Sequence, residues 1–106
     1  MLDEQVLQKI VRRVVEAVNP SRVILFGSQA RCEADEQSDI DLMVLKPEVK
    51  NIGQEMIHLY QAIGTLDTGI DVLLYSDAEF EVRSQVPGTV LYWARKEGRN
   101  LYVAAS

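Results

Sequence analysis

Apolar positions recur along this chain with two different periods, and the period assigns each segment. Val6, Ile10, Val14 and Val18 fall four apart, which is one face of a helix. A helix is therefore predicted from about Leu2 to Val18, with Asp3 as its N-cap and Asn19-Pro20 as its stop. Arg22 to Phe26 (RVILF) is a short apolar run rich in branched residues, the mark of a buried strand. Gly27-Ser28 turns the chain, and Ser28 is placed to cap a short helix over Gln29 to Glu33, followed by a polar loop from Ala34 to Ser38. Ile40 to Leu45 reads as a second strand, closed by Lys46-Pro47. Helical spacing returns over Asn51 to Ile63, through Ile52, Met56, Leu59, Tyr60 and Ile63, with Gly64 at the position of a C-terminal cap. Ile70 to Tyr75 is a third strand. Ser76-Asp77-Ala78-Glu79 has the form of a capping box and opens a helix toward Gln85, which Pro87-Gly88 breaks. A last helix covers Thr89 to Glu97, Gly98 ends it, and Asn100 to Val103 forms a short edge strand. Helices and strands alternate, so the class is α/β (α+β), a small mixed β-sheet flanked by helices.

Composition narrows the function. The 106 residues are expected to form one domain, residues 1–106, with no second core. Hydrophobic residues make up 47% and charged residues 25%, as in ordinary globular chains. No apolar run approaches the roughly 20 residues needed to span a bilayer, and the N-terminus lacks the apolar core of a secretion signal. A cytoplasmic location with no membrane partner is the expectation. The net charge of -5 and absence of a dense basic run argue against a nucleic-acid partner. Cys32 is the single cysteine and His58 the single histidine. These counts exclude an intrachain disulfide, a multi-cysteine zinc site and chemistry based on a histidine pair.

The chemistry concentrates between Gly27 and Asp41. A glycine after a buried strand lets the backbone approach a ligand closely. Ser28, at the start of the predicted short helix, presents a hydroxyl beside unpaired N–H groups, which attract phosphate. Arg31 falls three residues later, on the same helical face, where its guanidinium can reach a triphosphate. Asp39 and Asp41 are two apart on a strand, so their carboxylates share a face, while Ile40, Leu42 and Val44 point into a core. Two such charges at roughly 4 Å repel by about 4 kcal/mol at an effective dielectric near 20. A divalent cation removes that cost, and Mg²⁺ favours a few carboxylates completed by phosphate oxygens. Asp71 is the single charge in the apolar stretch Gly69 to Tyr75. If its strand lies beside Ile40–Leu45, three carboxylates meet. Such a set can hold two metal ions that clamp the attacking and leaving oxygens of a phosphoryl displacement.

With these residues in place, the chain resembles the minimal nucleotidyltransferases of the DNA polymerase β-like superfamily. The shared pattern is glycine-serine, a ten-residue gap and aspartate-x-aspartate, here GSQARCEADEQSDID from Gly27 to Asp41, followed by LMVL. Arg31, Ser38 and the strands on either side belong to the match. Asp71 in GIDVLLY is similar to the family's third carboxylate, and the stretch Ala94 to Tyr102 is similar to the end of many such domains. Cys32 departs from the pattern, since relatives often carry glycine there. The resemblance implies the nucleotidyltransferase fold. It implies Gly27 and Ser28 on the triphosphate, with Arg31 and Ser38 as further nucleotide-binding candidates. Asp39 and Asp41 would be metal ligands, and Asp71 the third ligand and base for the acceptor hydroxyl. ATP would be the donor and Mg²⁺, two ions, the cofactor. Stand-alone domains of this kind are commonly the MntA-like antitoxin half of a pair with a HEPN-family ribonuclease. That implies AMP transfer onto a toxin tyrosine.

Blander readings exist for each feature. Gly27-Ser28 alone is an ordinary strand-to-helix turn, and Asp71 alone an ion-pair partner. An EF-hand starting at Asp35 fails, because Ile40 stands where the turn glycine belongs and Lys46 where the final glutamate belongs. His58 and Cys32 read as bystanders, and Tyr92, Trp93 and Tyr102 as core or interface packing. Two rival functions remain open at this point: an antitoxin that neutralises its partner sterically, and an adenylyltransferase acting on a small molecule.

Overall fold

The computed structural model describes residues 4–27, 40–64 and 69–105. Helix α1 (Glu4–Val18) leads into strand β1 (Arg22–Phe26), and β2 (Ile40–Lys46) follows. Helix α2 (Ile52–Ile63) then connects β2 to β3 (Ile70–Ser76). Two short helices, α3 (Asp77–Arg83) and α4 (Val90–Glu97), precede strand β4 (Arg99–Val103). The strands form one sheet in the order β3-β2-β1-β4. β2 and β3 run parallel, whereas β1 is antiparallel to both β2 and β4. The sheet is thus mixed, and β4 is the edge strand that its sequence predicts.

Each strand end and helix end has a local cause. Asn51 caps α2 by accepting from the Gln54 N–H at 3.1 Å, so the helix proper begins at Ile52. Gly64 ends it with φ 77°, its N–H bonded to the Tyr60 carbonyl. Ser76 accepts from the Glu79 N–H at 3.1 Å, as the capping box requires. Helix α3 ends at Arg83, two residues short of the predicted Gln85, because the chain turns early toward Pro87-Gly88. Thr89 accepts from the Tyr92 N–H at 3.1 Å and is therefore the cap of α4 and not its first residue. The predicted cap Asp3, the short helix over Gln29 to Glu33 and the loop from Ala34 to Ser38 lie outside the described residues.

The sheet is covered on both faces. Ile40, Leu42 and Val44 of β2 point toward α1 and α2, where Leu7, Ile10, Val14, Leu59 and Ile63 close a core. The alternate residues Met43 and Leu45 point the other way and pack with Ile24, Phe80, Leu91 and Ala94. This two-sided burial explains why β2 reads as a continuous apolar run. It also corrects several sequence expectations. Leu7, not Val6 or Val18, sits in the deepest contact of α1, while Val6 and Val18 are half-buried. Ile52 and Tyr60 stay exposed on α2, because that helix rests on the sheet through Leu59 and Ile63. Of the core and interface readings for Trp93 only the core one falls: it is 47% exposed on α4 and meets the half-buried Tyr92 edge-on at 5.3 Å. His58 holds α2 to α1 through its Nε2 and the Ala17 carbonyl, 3.1 Å apart.

Two side-chain arrangements lock the periphery. Arg99, at the start of β4, donates to both carboxylate oxygens of Glu4 at 2.6 and 3.1 Å, tying the edge strand to the start of α1. Glu55, in the first turn of α2, accepts from Lys46 and from the N–H groups of Lys50 and Asn51. The Lys46 hydrogen bond, opposed by partial burial and assisted by the two backbone donors, holds the Glu55 carboxyl below its ordinary value. A depressed carboxyl contributes stability that is complete above its unfolded pKa of 4.5 and is lost as the pH falls through the lower folded value. Glu55→Gln should therefore lower the melting temperature by a few degrees near neutrality, about 0.5–1 kcal/mol for a partly exposed pair. The difference from wild type should close on acidification below pH 4.5, measured by thermal melts at several pH values.

Gly98 shows a second constraint. Its backbone is extended, with φ -71°, so freedom of rotation is not the issue. A Cβ there would lie 2.2 Å from the Ala94 carbonyl oxygen and 2.5 Å from Ile24 Cγ2. The end of α4 thus presses directly onto β1. Gly98→Ala should destabilise the chain by about 3 kcal/mol, the upper range for overpacking. Chemical denaturation should show it as a lower midpoint, and an unchanged midpoint would mean that α4 can lift off β1 freely.

Candidate active site

Strand direction brings the candidate residues to one end of the sheet. β1 runs toward that end and finishes at Phe26 and Gly27, while β2 and β3 both start there. Asp41, the second residue of β2, is flanked in register by Phe26 on one side and by Asp71 on the other. The in-register pairing of Asp41 with Asp71 across a parallel ladder puts their side chains on the same face. It is the face that carries Met43, Leu45, Leu73 and Tyr75. Asp41 is half-buried and Asp71 exposed, so the pair grades from the sheet interior to solvent. The sequence could pair these acids only if the two strands were neighbours, and they are.

Gly27 completes this corner. It has φ 76°, the left-handed region that glycine adopts without cost. A Cβ at this position would lie 2.6 Å from Oδ2 of Asp41. No side chain fits between the β1 turn and the carboxylate, and the backbone itself forms the wall. The sequence reading assigned Gly27 to close approach by a ligand. The structure shows that the Asp41 carboxylate occupies the space a side chain at Gly27 would need, a relation no motif spacing reveals.

Ser28, Arg31, Ser38 and Asp39 lie outside the described residues. The structure therefore brings together Gly27, Asp41 and Asp71. Among the described residues no group of three His, Cys, Asp or Glu side chains is placed to hold a metal. The two acids present still suit one. They are hard oxygen donors on adjacent rigid strands, facing the same way, with a side-chain-free backbone beside them. That donor chemistry fits Mg²⁺ or a similar divalent cation, which takes one or two carboxylates and leaves its other positions to phosphate and water. An apolar groove of about 440 Å³ lies elsewhere, between α1 and β4, and is lined by Leu7, Val11, Val15, Leu101 and Tyr102. It includes none of the candidate residues. Among the described residues, no helix is long and apolar enough to cross a membrane.

Solved structures share this architecture. A Sulfolobus solfataricus protein regarded as a nucleotidyltransferase is 24% identical, with a TM-score of 0.60 over 92% of this chain and 86% of that one. A toxin–antitoxin complex with AMP-PNP contains a chain 24% identical, with a TM-score of 0.61 over 97% of this chain and 75% of the other. A tri-AMPylated Shewanella oneidensis HEPN toxin in complex with an MNT antitoxin gives 22% identity, a TM-score of 0.60, and coverage of 97% and 74%. Similarity at this level shows the fold. A search of curated proteins found no match to the chain. The model of the family described as polymerase beta, nucleotidyltransferase matches residues 8–101, which takes in β1 to β3, the start of β4 and every candidate residue. The chain that sets Asp41 against Asp71 beside Gly27 therefore belongs to the polymerase beta nucleotidyltransferase family.

Proposed function

We propose that the whole chain acts as one nucleotidyltransferase domain that moves AMP from ATP to an acceptor hydroxyl, and that the acceptor is a tyrosine of a HEPN-family toxin. The observation that carries this reading is the Asp41–Asp71 register with the Gly27 backbone against Asp41. Family membership supports the reaction class. The similar chains seen with AMP-PNP and with an AMPylated HEPN toxin support the donor and the partner.

Each residue has a distinct task in this scheme. The acceptor oxygen attacks the α-phosphorus, the bond to the bridging oxygen breaks, and pyrophosphate leaves. Asp71, exposed on the outer strand, takes the proton from the acceptor hydroxyl. Asp41, deeper and fixed between Phe26 and Asp71, would hold Mg²⁺ together with Asp39 and Asp71. Bound there, two Mg²⁺ ions would neutralise charge on the triphosphate and on the leaving pyrophosphate. Gly27 and Ser28 receive the phosphates on backbone and hydroxyl donors, and Arg31 and Ser38 add contacts to the nucleotide. A protein acceptor suits a site with an exposed carboxylate.

The first test joins binding to chemistry. ATP with Mg²⁺, at about a hundred times its dissociation constant, should stabilise the chain by about 2.7 kcal/mol, several degrees in the melting midpoint. Asp41→Asn should lose that rise and lower AMP transfer to a co-purified HEPN partner by roughly 10²–10³-fold. The unliganded melt of this variant checks that the fold is intact. Mass spectrometry of the partner reads the transfer. Neutralisation of the partner by Asp41→Asn at wild-type strength would instead favour a steric antitoxin.

Gly27→Ala gives an independent test. The new methyl group must displace the Asp41 carboxylate and sit in a left-handed backbone, at a cost of about 1–2 kcal/mol. The ATP–Mg²⁺ shift should shrink by more than this stability loss explains. Calorimetric titration with unchanged affinity would separate Gly27 from the site.

A further inference from the structure

β3 is an edge strand, with β2 on one side and no strand on the other among the described residues. It nonetheless carries Asp71, the acid most exposed and most distant from the sheet centre. Edge strands twist and solvate more freely than central ones, so something must fix the direction of this side chain. The ladder supplies half of the restraint. The Ile40 N–H donates to the Gly69 carbonyl at 2.9 Å. With Ile40 opposite Ile70, parallel alternation sends the Leu42 N–H to the Asp71 carbonyl and turns the Val72 N–H outward. That outward N–H is not left to water. It donates to the hydroxyl of Tyr60, 3.0 Å away on α2.

We propose that Tyr60 is a positioning residue for the metal-binding carboxylates, acting through the peptide plane between Asp71 and Val72. This inference rests on the reading of Asp41 and Asp71 as metal ligands. The plane is held at both ends, its carbonyl by β2 and its N–H by Tyr60. Fixing it fixes ψ of Asp71, and hence the angle at which the carboxylate leaves the strand toward Asp41. Sequence spacing groups Tyr60 with the apolar positions of its helix, yet the residue is 40% exposed, so packing alone does not account for its place. The hydroxyl has a specific partner, and that partner belongs to the residue following Asp71.

Tyr60→Phe keeps the ring at an exposed helix position and removes only the acceptor. The experiment titrates Mn²⁺ into the full chain with a non-hydrolysable ATP analogue, followed by the Mn²⁺ resonance signal, for wild type, Tyr60→Phe, Asp71→Asn, Asp41→Asn and the Tyr60→Phe/Asp71→Asn double variant. Tyr60→Phe should weaken Mn²⁺ about three- to tenfold, the scale of one hydrogen bond. It should have no further effect once Asp71 is Asn, because the two act as one unit. Amide exchange at Val72 should quicken while the melting midpoint stays within a few degrees. Wild-type Mn²⁺ affinity in Tyr60→Phe, or an equal loss in the Asp71→Asn background, overturns the proposal. Absence of Mn²⁺ binding in wild type, or full binding in Asp41→Asn, removes the metal site itself and the positioning role with it. Loss in Asp41→Asn beside unchanged Tyr60→Phe removes the role of Tyr60 alone.

Discussion

Asp41 and Asp71 stand opposite each other across the parallel β2–β3 ladder, two like charges on neighbouring strands. Like charges on neighbouring strands repel, and solvent around the exposed Asp71 screens that repulsion. The chain tolerates this because each carboxylate sits at the second residue of its strand, near its end, where water reaches at least part of the site. The apolar residues of β2 and β3 beyond the acids compensate. Val72, Leu74, Leu42, Met43, Val44 and Leu45 are almost fully buried and hold the strands together whatever the acids do. Electrostatic strain is thus confined to the end of a sheet whose length is secured by apolar contact.

Parallel pairing also dictates the surrounding architecture. Two parallel strands need a crossover longer than a hairpin, and α2 provides it while covering one face through Leu59 and Ile63. The opposite face would expose Ile24, Met43 and Leu45 without α3 and α4, which bring Phe80, Leu91 and Ala94 to it. Gly98 lets the end of α4 sit directly on β1, and the chain returns at once as β4. Strand β1, between β2 and β4, therefore has neighbours on both sides, and its last residue delivers Gly27 to Asp41. The ends of β1, β2 and β3 bring their backbones to the two carboxylates, and side chains outside the site, such as Tyr60 and Glu55, hold the elements that carry them.

Much of this was legible from the order of residues. A five-residue run of branched apolar side chains has few options besides a buried strand, so β1 was read at its true bounds. Ser76 and Gly64 were legible as caps, because they bond within a few residues of themselves, whereas Asn51 and Thr89, read as first helical residues, are N-caps. The Gly27 turn and the acid at Asp41 were legible as a spacing, because a phosphate turn followed by carboxylates on a strand is a pattern with a physical reason. Burial was read less well. Helical period grouped Ile52 and Tyr60 with Leu59 and Ile63, but period states which residues share a face and not which part of that face meets the sheet.

The sequence by itself determined the alternation of elements, the family and the residue types available for chemistry, since these follow from short-range periodicity, capping and motif. Only the tertiary structure decided that β3 lies beside β2 in the register that sets Asp71 against Asp41, and that the Asp41 carboxylate fills the space a side chain at Gly27 would need. It alone turned Tyr60 from one of the apolar positions of its helix into the partner of the Val72 N–H. These relations join residues from 12 to 30 positions apart. Strand neighbours are chosen by the shared burial of two sheet faces, a sum over the whole chain that no local window contains.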